Sequence, residues 1–193
     1  MPLTGNMINW SWFRRYDRFP TIQRGDRLIV SWDTALTANE LSDYSAAVVL
    51  LVRAQSAFIF DVVRARLEFP ELRRKVIELD RLWRPSCHHY SLLIEDKGSG
   101  TSLIQDLRHN GIHPIAIKPK AEKVMRANAH TARIEAGAVF LPEHAPWLEK
   151  FRREILAFPK GRHNDQVDAL SQALDRAFIF RPPVAAMGFY SRR

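Results

Sequence analysis

The chain has 193 residues, with 29 Lys and Arg against 21 Asp and Glu, a formal net charge of +8. Hydrophobic residues make up 46% and aromatics 10%, which supports a packed core and excludes a chain disordered throughout. The lone Cys87 excludes an internal disulfide framework and a cysteine-based zinc site, and fits a reducing compartment. The longest apolar run, Ala46 to Val52, falls far short of the roughly 20 residues that span a bilayer, so no membrane partner is expected. The N-terminal residues lack the apolar stretch of a signal peptide. The basic excess points to a polyanionic partner, most simply nucleic acid.

Residues 1–24, with Pro2, Gly5, Asn6 and Pro20 and scattered aromatics, read as a lead-in. Arg27–Asp33, Ser45–Arg53 and Ala57–Arg64 read as strands, rich in β-branched and aromatic residues. The short link between the last two predicts an antiparallel pair. The period then changes. Pro70 and Glu71 suit a first helical turn; Leu72, Val76, Leu79 and Trp83 share one face, and Pro85 stops the helix. Tyr90–Glu95 reads as a buried strand, Ser99–Asn110 as a helix closed by Gly111, and Ile112–Ile117 as a strand. Ala121–Glu135 reads as a helix ended by Gly137, Ala138–Leu141 as a short strand, and Pro146–Ala157 and His163–Phe180 as the last helices. The tail from 181 to 193 reads as loose. This order predicts an α/β fold: a mixed sheet with three antiparallel strands followed by βα units, flanked by helices.

Acids stand where such a sheet cannot ignore them. Asp33 closes the first strand, Glu95 the fourth, and Asp165 and Asp168 lie three apart at the start of the last helix, on one face of it. Sites in sheets with βα units form at the carboxyl ends of strands. If the first and fourth strands are neighbours, Asp33 and Glu95 converge there, and the last helix brings in Asp165 and Asp168. Clustered carboxylates repel one another, and divalent cations remove that penalty. Two such ions stabilise the attacking and leaving oxygens of phosphodiester hydrolysis. Taken singly, each acid is an ordinary turn or helix-start residue; together they point to catalysis.

The element order, with acids on the first strand, the fourth strand and a late helix, resembles a ribonuclease H-like fold. The stretches Val30-Ser31-Trp32-Asp33-Thr34-Ala35, Ile94-Glu95-Asp96-Lys97-Gly98-Ser99-Gly100, Lys120 to Ala127 and His163 to Leu170 resemble, in that order, the C-terminal nuclease domain of phage terminase large subunits. The resemblance covers about residues 24–180, and residues 2–20 resemble the segment joining the packaging ATPase to this nuclease. It implies a metal-dependent endonuclease that cuts concatemeric viral DNA during genome packaging, in the cytoplasm of a bacterial host. It implies two Mg²⁺ or Mn²⁺ ions held by Asp33, Glu95 and Asp165. Asp168 matches the second acid of the D-x-x-D arrangement of related Holliday-junction resolvases, as a ligand or as a neighbour of one. Asn164 replaces the usual acid before Asp165 and still offers a carbonyl oxygen. Double-stranded DNA, the terminase ATPase domain, the small subunit and the portal are the partners the resemblance implies. No phosphate-binding loop occurs, so no ATPase activity is expected from these residues.

Lys97 follows the second acid, and Lys118, Lys120, Lys123 and Arg126 cluster around the start of a helix; beside the proposed metal site they are candidates for phosphate contact, against the simpler reading of a solvated face. His163 is an auxiliary candidate for proton transfer or ligand orientation. Gly98 and Gly100 suit a tight turn. Cys87-His88-His89 is set aside as a metal site, because three adjacent side chains before a strand do not converge on one ion. Trp32, Trp83 and Trp147 read as core. Two other readings stand beside the endonuclease: a Holliday-junction-resolvase-like or other ribonuclease H-like nuclease, and a non-catalytic DNA-gripping or motor-docking module with vestigial acids.

Overall fold

A computed structural model describes residues 7–35, 44–118 and 121–179. Seven strands form one mixed sheet: β1 (Arg14–Tyr16), β2 (Arg27–Asp33), β3 (Ser45–Arg53), β4 (Ser56–Ala65), β5 (His89–Glu95), β6 (Ile115–Ile117) and β7 (Val139–Pro142). Their spatial order is β1-β7-β4-β3-β2-β5-β6. The expected mixed sheet is therefore present. β3 pairs antiparallel with both β2 and β4, while β5 lies parallel to β2, and β6 parallel to β5. Beyond β4 the sheet continues with β7 and β1, both parallel. β1 comes from the segment read as lead-in, which also buries Ile8, Phe13 and Tyr16.

Helices cover both faces. Strand alternation sorts the core into two layers. Leu28, Val30 and Trp32 of β2 and Leu92 and Ile94 of β5 pack against α1 (Phe69–Trp83) and α2 (Ser99–His109). Ile29 of β2 and Leu93 of β5 face the other layer, formed by α3 (Lys123–Glu135), α4 (Leu148–Ala157) and α5 (Asp165–Leu174). Trp32, fully buried among α1 and α2 residues, is core, as its position predicts; Trp83 and Trp147 are partly buried against the two layers.

Most element boundaries fall within two residues of the sequence reading, and the start of β6 and the end of α5 differ further for local reasons. β6 begins at Ile115 rather than Ile112: Pro114 has no N–H to give a ladder, and Ile112 N donates instead to Leu107 O at the end of α2. α5 begins at Asp165, because Asn164 (φ −132°, ψ 12°) is its N-cap. It stops as an α-helix at Leu174 and continues as a π-helical turn over Asp175–Ile179; Phe180 and the tail lie outside the described residues.

A β-bulge in β4 decides which face its later side chains occupy. Leu50 pairs with Ile59 and Val49 with Asp61, leaving Phe60 extra. Ala57, Ile59 and Val62 consequently share the α3–α5 layer, whereas Phe60 faces α1. The inserted residue shifts the alternation by one, so Arg64 joins Val62 on the α4–α5 side.

Candidate active site

Period-two alternation carries Ile29 and Ser31 of β2 toward α5, and Asp33 continues that row. Glu95 continues the same face from Leu93 on β5. The parallel register pairs Trp32 with Ile94, so Asp33 and Glu95 leave adjacent strands side by side at their carboxyl ends. Gly100 lets the next helix start close by. A Cβ there would overlap Glu95 O and come within 3.0 Å of Thr34 Oγ1, so only glycine fits without displacing the backbone at Glu95. Ser99 Oγ donates to Ala35 O at 2.5 Å, tying the start of α2 to the chain leaving β2.

α5 supplies the other two acids, and it is fixed at both ends. Gln172 Nε2 donates to Ser31 Oγ (3.0 Å) and Trp32 O (3.2 Å), clamping the helix over β2. At its N-terminus, the buried Glu154 of α4 accepts from Gln166 N (2.6 Å), Gln166 Nε2 (2.5 Å) and Val167 N (3.4 Å). Glu154 thereby does from another helix what an N-cap side chain normally does, and its charge opposes the positive end of the helix dipole. Arg64 Nε stands 3.3 Å from Glu154 Oε2. This clamp leaves Asp168 2% exposed and Asp165 partly buried.

α3 closes the site from the side. His130 Nε2 and Asp175 Oδ1, 2.7 Å apart, bind α3 to the turn after α5. Lys123 Nζ lies 2.5 Å from Asp168 Oδ2, and Arg126 reaches Asp168 Oδ1 at 3.4 Å and Glu95 Oε2 at 3.9 Å. The four sequence candidates Asp33, Glu95, Asp165 and Asp168 thus share one neighbourhood, and Lys123 and Arg126 stand among them. Lys97 is exposed just after Glu95. Lys118 is exposed and 3.5 Å from Asp96 Oδ2, so its nearest acid is outside the four. Lys120 lies outside the described residues. His163 packs edge-on against Tyr44, with ring centroids 5.0 Å apart.

The charges within this neighbourhood strain one another. Burial first, then the fields of Asp168, Glu95 and Asp165, push the Asp33 carboxyl well above the ordinary range, with Lys123 opposing. Burial also raises Asp165, against its own backbone N–H and the fields of Arg64, Lys123 and His163. Lys123 is held above its usual value: burial works to lower it, but the Asp168 contact and the fields of Asp168, Asp33 and Asp165 outweigh that.

Among the described residues, no group of three His, Cys, Asp or Glu is already set to hold a metal ion. The donor set nevertheless fits a hard divalent cation. All four acids offer oxygen, and Asp165 Oδ2 and Asn164 Oδ1 are buried acceptors with no hydrogen-bond partner. Buried acceptors of this kind are what a cation satisfies.

Glu154, Gln172 and Arg64 escaped the sequence reading. Glu154 lies in an amphipathic helix where a polar residue is unremarkable, and Gln172 looks like any polar residue of α5. Only their partners, 12 to 141 residues away, reveal them.

Comparison with known proteins agrees with this geometry. A family model described as the terminase RNaseH-like domain matches residues 30–177. No curated protein matches the chain. Among solved structures, the large terminase nuclease of thermophilic phage G20c with bound magnesium superposes with a TM-score of 0.63 at 17% identity, covering 91% of this chain and 99% of that one. The G20c nuclease with bound zinc gives 0.60 at 20% identity, covering 88% and 94%. The large terminase of another thermophilic bacteriophage gives 0.64 at 14% identity, covering 91% of this chain and 45% of that one; the chain thus spans less than half of that protein. These likenesses establish the mixed-sheet fold, and the family match over most of the length establishes kinship: the chain belongs to the terminase RNase H-like domain family.

Proposed function

We propose that this domain is a divalent-metal-dependent DNA endonuclease that cuts concatemeric viral DNA during genome packaging. One observation carries the reading: acids from β2, β5 and α5 converge at the carboxyl ends of two parallel strands, with a buried, unpartnered Asp165 Oδ2 among them. The magnesium-bound G20c nuclease, a structural neighbour, supports the choice of cation.

Asp33, Glu95 and Asp165 would hold two Mg²⁺ or Mn²⁺ ions. Those ions, when bound, supply a nucleophilic water and stabilise both oxygens of the displacement. Burial opposes ionisation of both Asp33 and Asp165, and for Asp33 the neighbouring acids add to it, so a bound cation would offset that cost. Asp168 holds Lys123 and Arg126 in the site, where their charges also suit a scissile phosphate. Gln172 and Glu154 keep α5 at a constant height over β2, so the spacing between Asp33 and Asp165 does not drift. The partners would be double-stranded DNA and, in the assembled motor, the ATPase domain, small subunit and portal, within the cytoplasm of a bacterial host.

One observation favours a second reading. Lys123 and Arg126 already neutralise part of the acid cluster, as expected of a DNA-gripping module with vestigial acids. A plasmid assay separates the two. We expect supercoiled DNA to be nicked and linearised in Mn²⁺ or Mg²⁺, with chelator and Asp33→Ala each lowering the rate at least ~100-fold, on the order of losing a metal-ligating catalytic group. Bound but intact DNA at high protein and Mn²⁺ would establish the gripping module instead.

A further inference from the structure

Beside the acid cluster lies a second feature that the proposed chemistry does not use. A cleft of about 390 Å³ opens between the end of β4, α4 and the loop before α5. Tyr44, Arg64, Lys150, Arg153, Arg162 and His163 line its walls, with Glu154 among them. The arginines are ordered rather than loose. Arg64 lies over the Tyr44 ring, its Cζ 3.7 Å from the centroid, and Arg66 lies over the same ring at 4.7 Å. The opposite wall carries Lys150 and Arg162, neither of them buried, and Arg153, which pairs with Glu149 at 3.0 Å. The other local acid, Glu154, is committed to Arg64 and the start of α5. Cations therefore exceed acids around the opening.

We propose that this cleft binds the phosphodiester backbone of one DNA strand and leads it to the acid cluster. The inference rests on the nuclease reading above, and its geometry supports a direction. Asp165 is two residues from His163, and Glu154 joins the cleft to α5. Lys123 and Arg126 stand among the acids themselves. A strand lying in the cleft would run on to the carboxylates, where Lys123 and Arg126 add positive charge. Tyr44 fixes two guanidiniums in advance, which lowers the entropy lost when a phosphate is bound. The β4 bulge is the structural cause, since it turns Arg64 to this face.

The test is fluorescence anisotropy with labelled duplex DNA in EDTA, where binding is read without cleavage. The variant Lys150→Glu/Arg162→Glu reverses two charges of the cleft. Arg74→Glu/Arg81→Glu makes the same change in net charge on exposed residues of α1, across the sheet. The cleft variant is expected to bind at least tenfold more weakly. Its slope of log K against log salt should shrink by about two, since each lost phosphate contact removes about 0.9. The α1 variant should stay within threefold of wild type. Equal losses in both variants, an unchanged cleft variant, or a wild type that binds no DNA would each overturn the proposal. Mn²⁺ binding, followed by thermal shift, should be the same in the cleft variant and wild type, and a shift lost in the cleft variant would reassign these residues to the metal site. Tight binding through the cleft by a protein that never cuts would keep the cleft and overturn the nuclease.

Discussion

Asp33 sits in a place that disfavours its charge, and that has a consequence for stability that can be measured without any substrate. Its carboxyl is raised well above the unfolded value of about 3.9. A group raised in the folded state binds its proton more tightly there, so its contribution to stability is present at low pH and is lost as pH rises through the folded value. Asparagine never ionises. The variant Asp33→Asn should therefore be more stable than wild type in metal-free buffer at pH 8, with the gain shrinking toward pH 4. Denaturant melts at several pH values measure this, and a gain that is the same at pH 4 and pH 8 would show that Asp33 carries no such strain. A residue of the proposed site that lowers stability in this way fits the general exchange of stability for function.

Among the elements, α5 matters most, and its position depends on residues outside it. Glu154 of α4 accepts three hydrogen bonds at its start and pairs with Arg64. Truncation by Glu154→Ala leaves buried donors and a guanidinium unmatched, a loss of about 3–5 kcal/mol by analogy with broken buried pairs. Glu154→Gln keeps one acceptor oxygen for the backbone and should lose less than half of that. Urea unfolding checks both, and hydrogen exchange should show the first turn of α5 opening first in the alanine variant. If alanine costs under about 1 kcal/mol, less than a typical unsatisfied buried group, the clamp is not what holds the helix. The same clamp explains why a helix could be read from the period of Val167, Leu170 and Leu174 while its height above the sheet could not. Periodicity identifies a buried face, whereas the groups that fix its position lie far away in the chain.

Across the whole molecule, a chain of net charge +8 gathers four acids into one neighbourhood, with Lys123 and Arg126 beside them. Self-repulsion among those acids is the term a cation relieves. A cation that binds only the folded state stabilises it by about 2.7 kcal/mol at 100 times its Kd. For a chain this size, that raises Tm by roughly 5–10 °C. Mn²⁺ should produce such a shift in wild type and little or none in Asp33→Ala, as read by a thermal melt. An identical shift in both would place the ion elsewhere.

Much of this was determined by local pattern. The order of strands and helices, the mixed sheet, the burial of Trp32, the strand-end positions of Asp33 and Glu95 and the shared helix face of Asp165 and Asp168 all follow from period, punctuation and strand-end position, whereas the β2–β5 pairing that brings the acids together does not. Those signals act over a few residues and survive without tertiary context. β7 was legible to within one residue, but β1 was read as lead-in, because a three-residue strand such as Arg14–Tyr16 is too short to show alternation. The tertiary structure alone decided that Lys123 and Arg126 stand inside the acid cluster, that Glu154 and Gln172 clamp α5, and that a bulge turns Arg64 toward a basic cleft. Each of these depends on pairs distant in sequence, where electrostatic and hydrogen-bond partners are set by packing and leave no period to read.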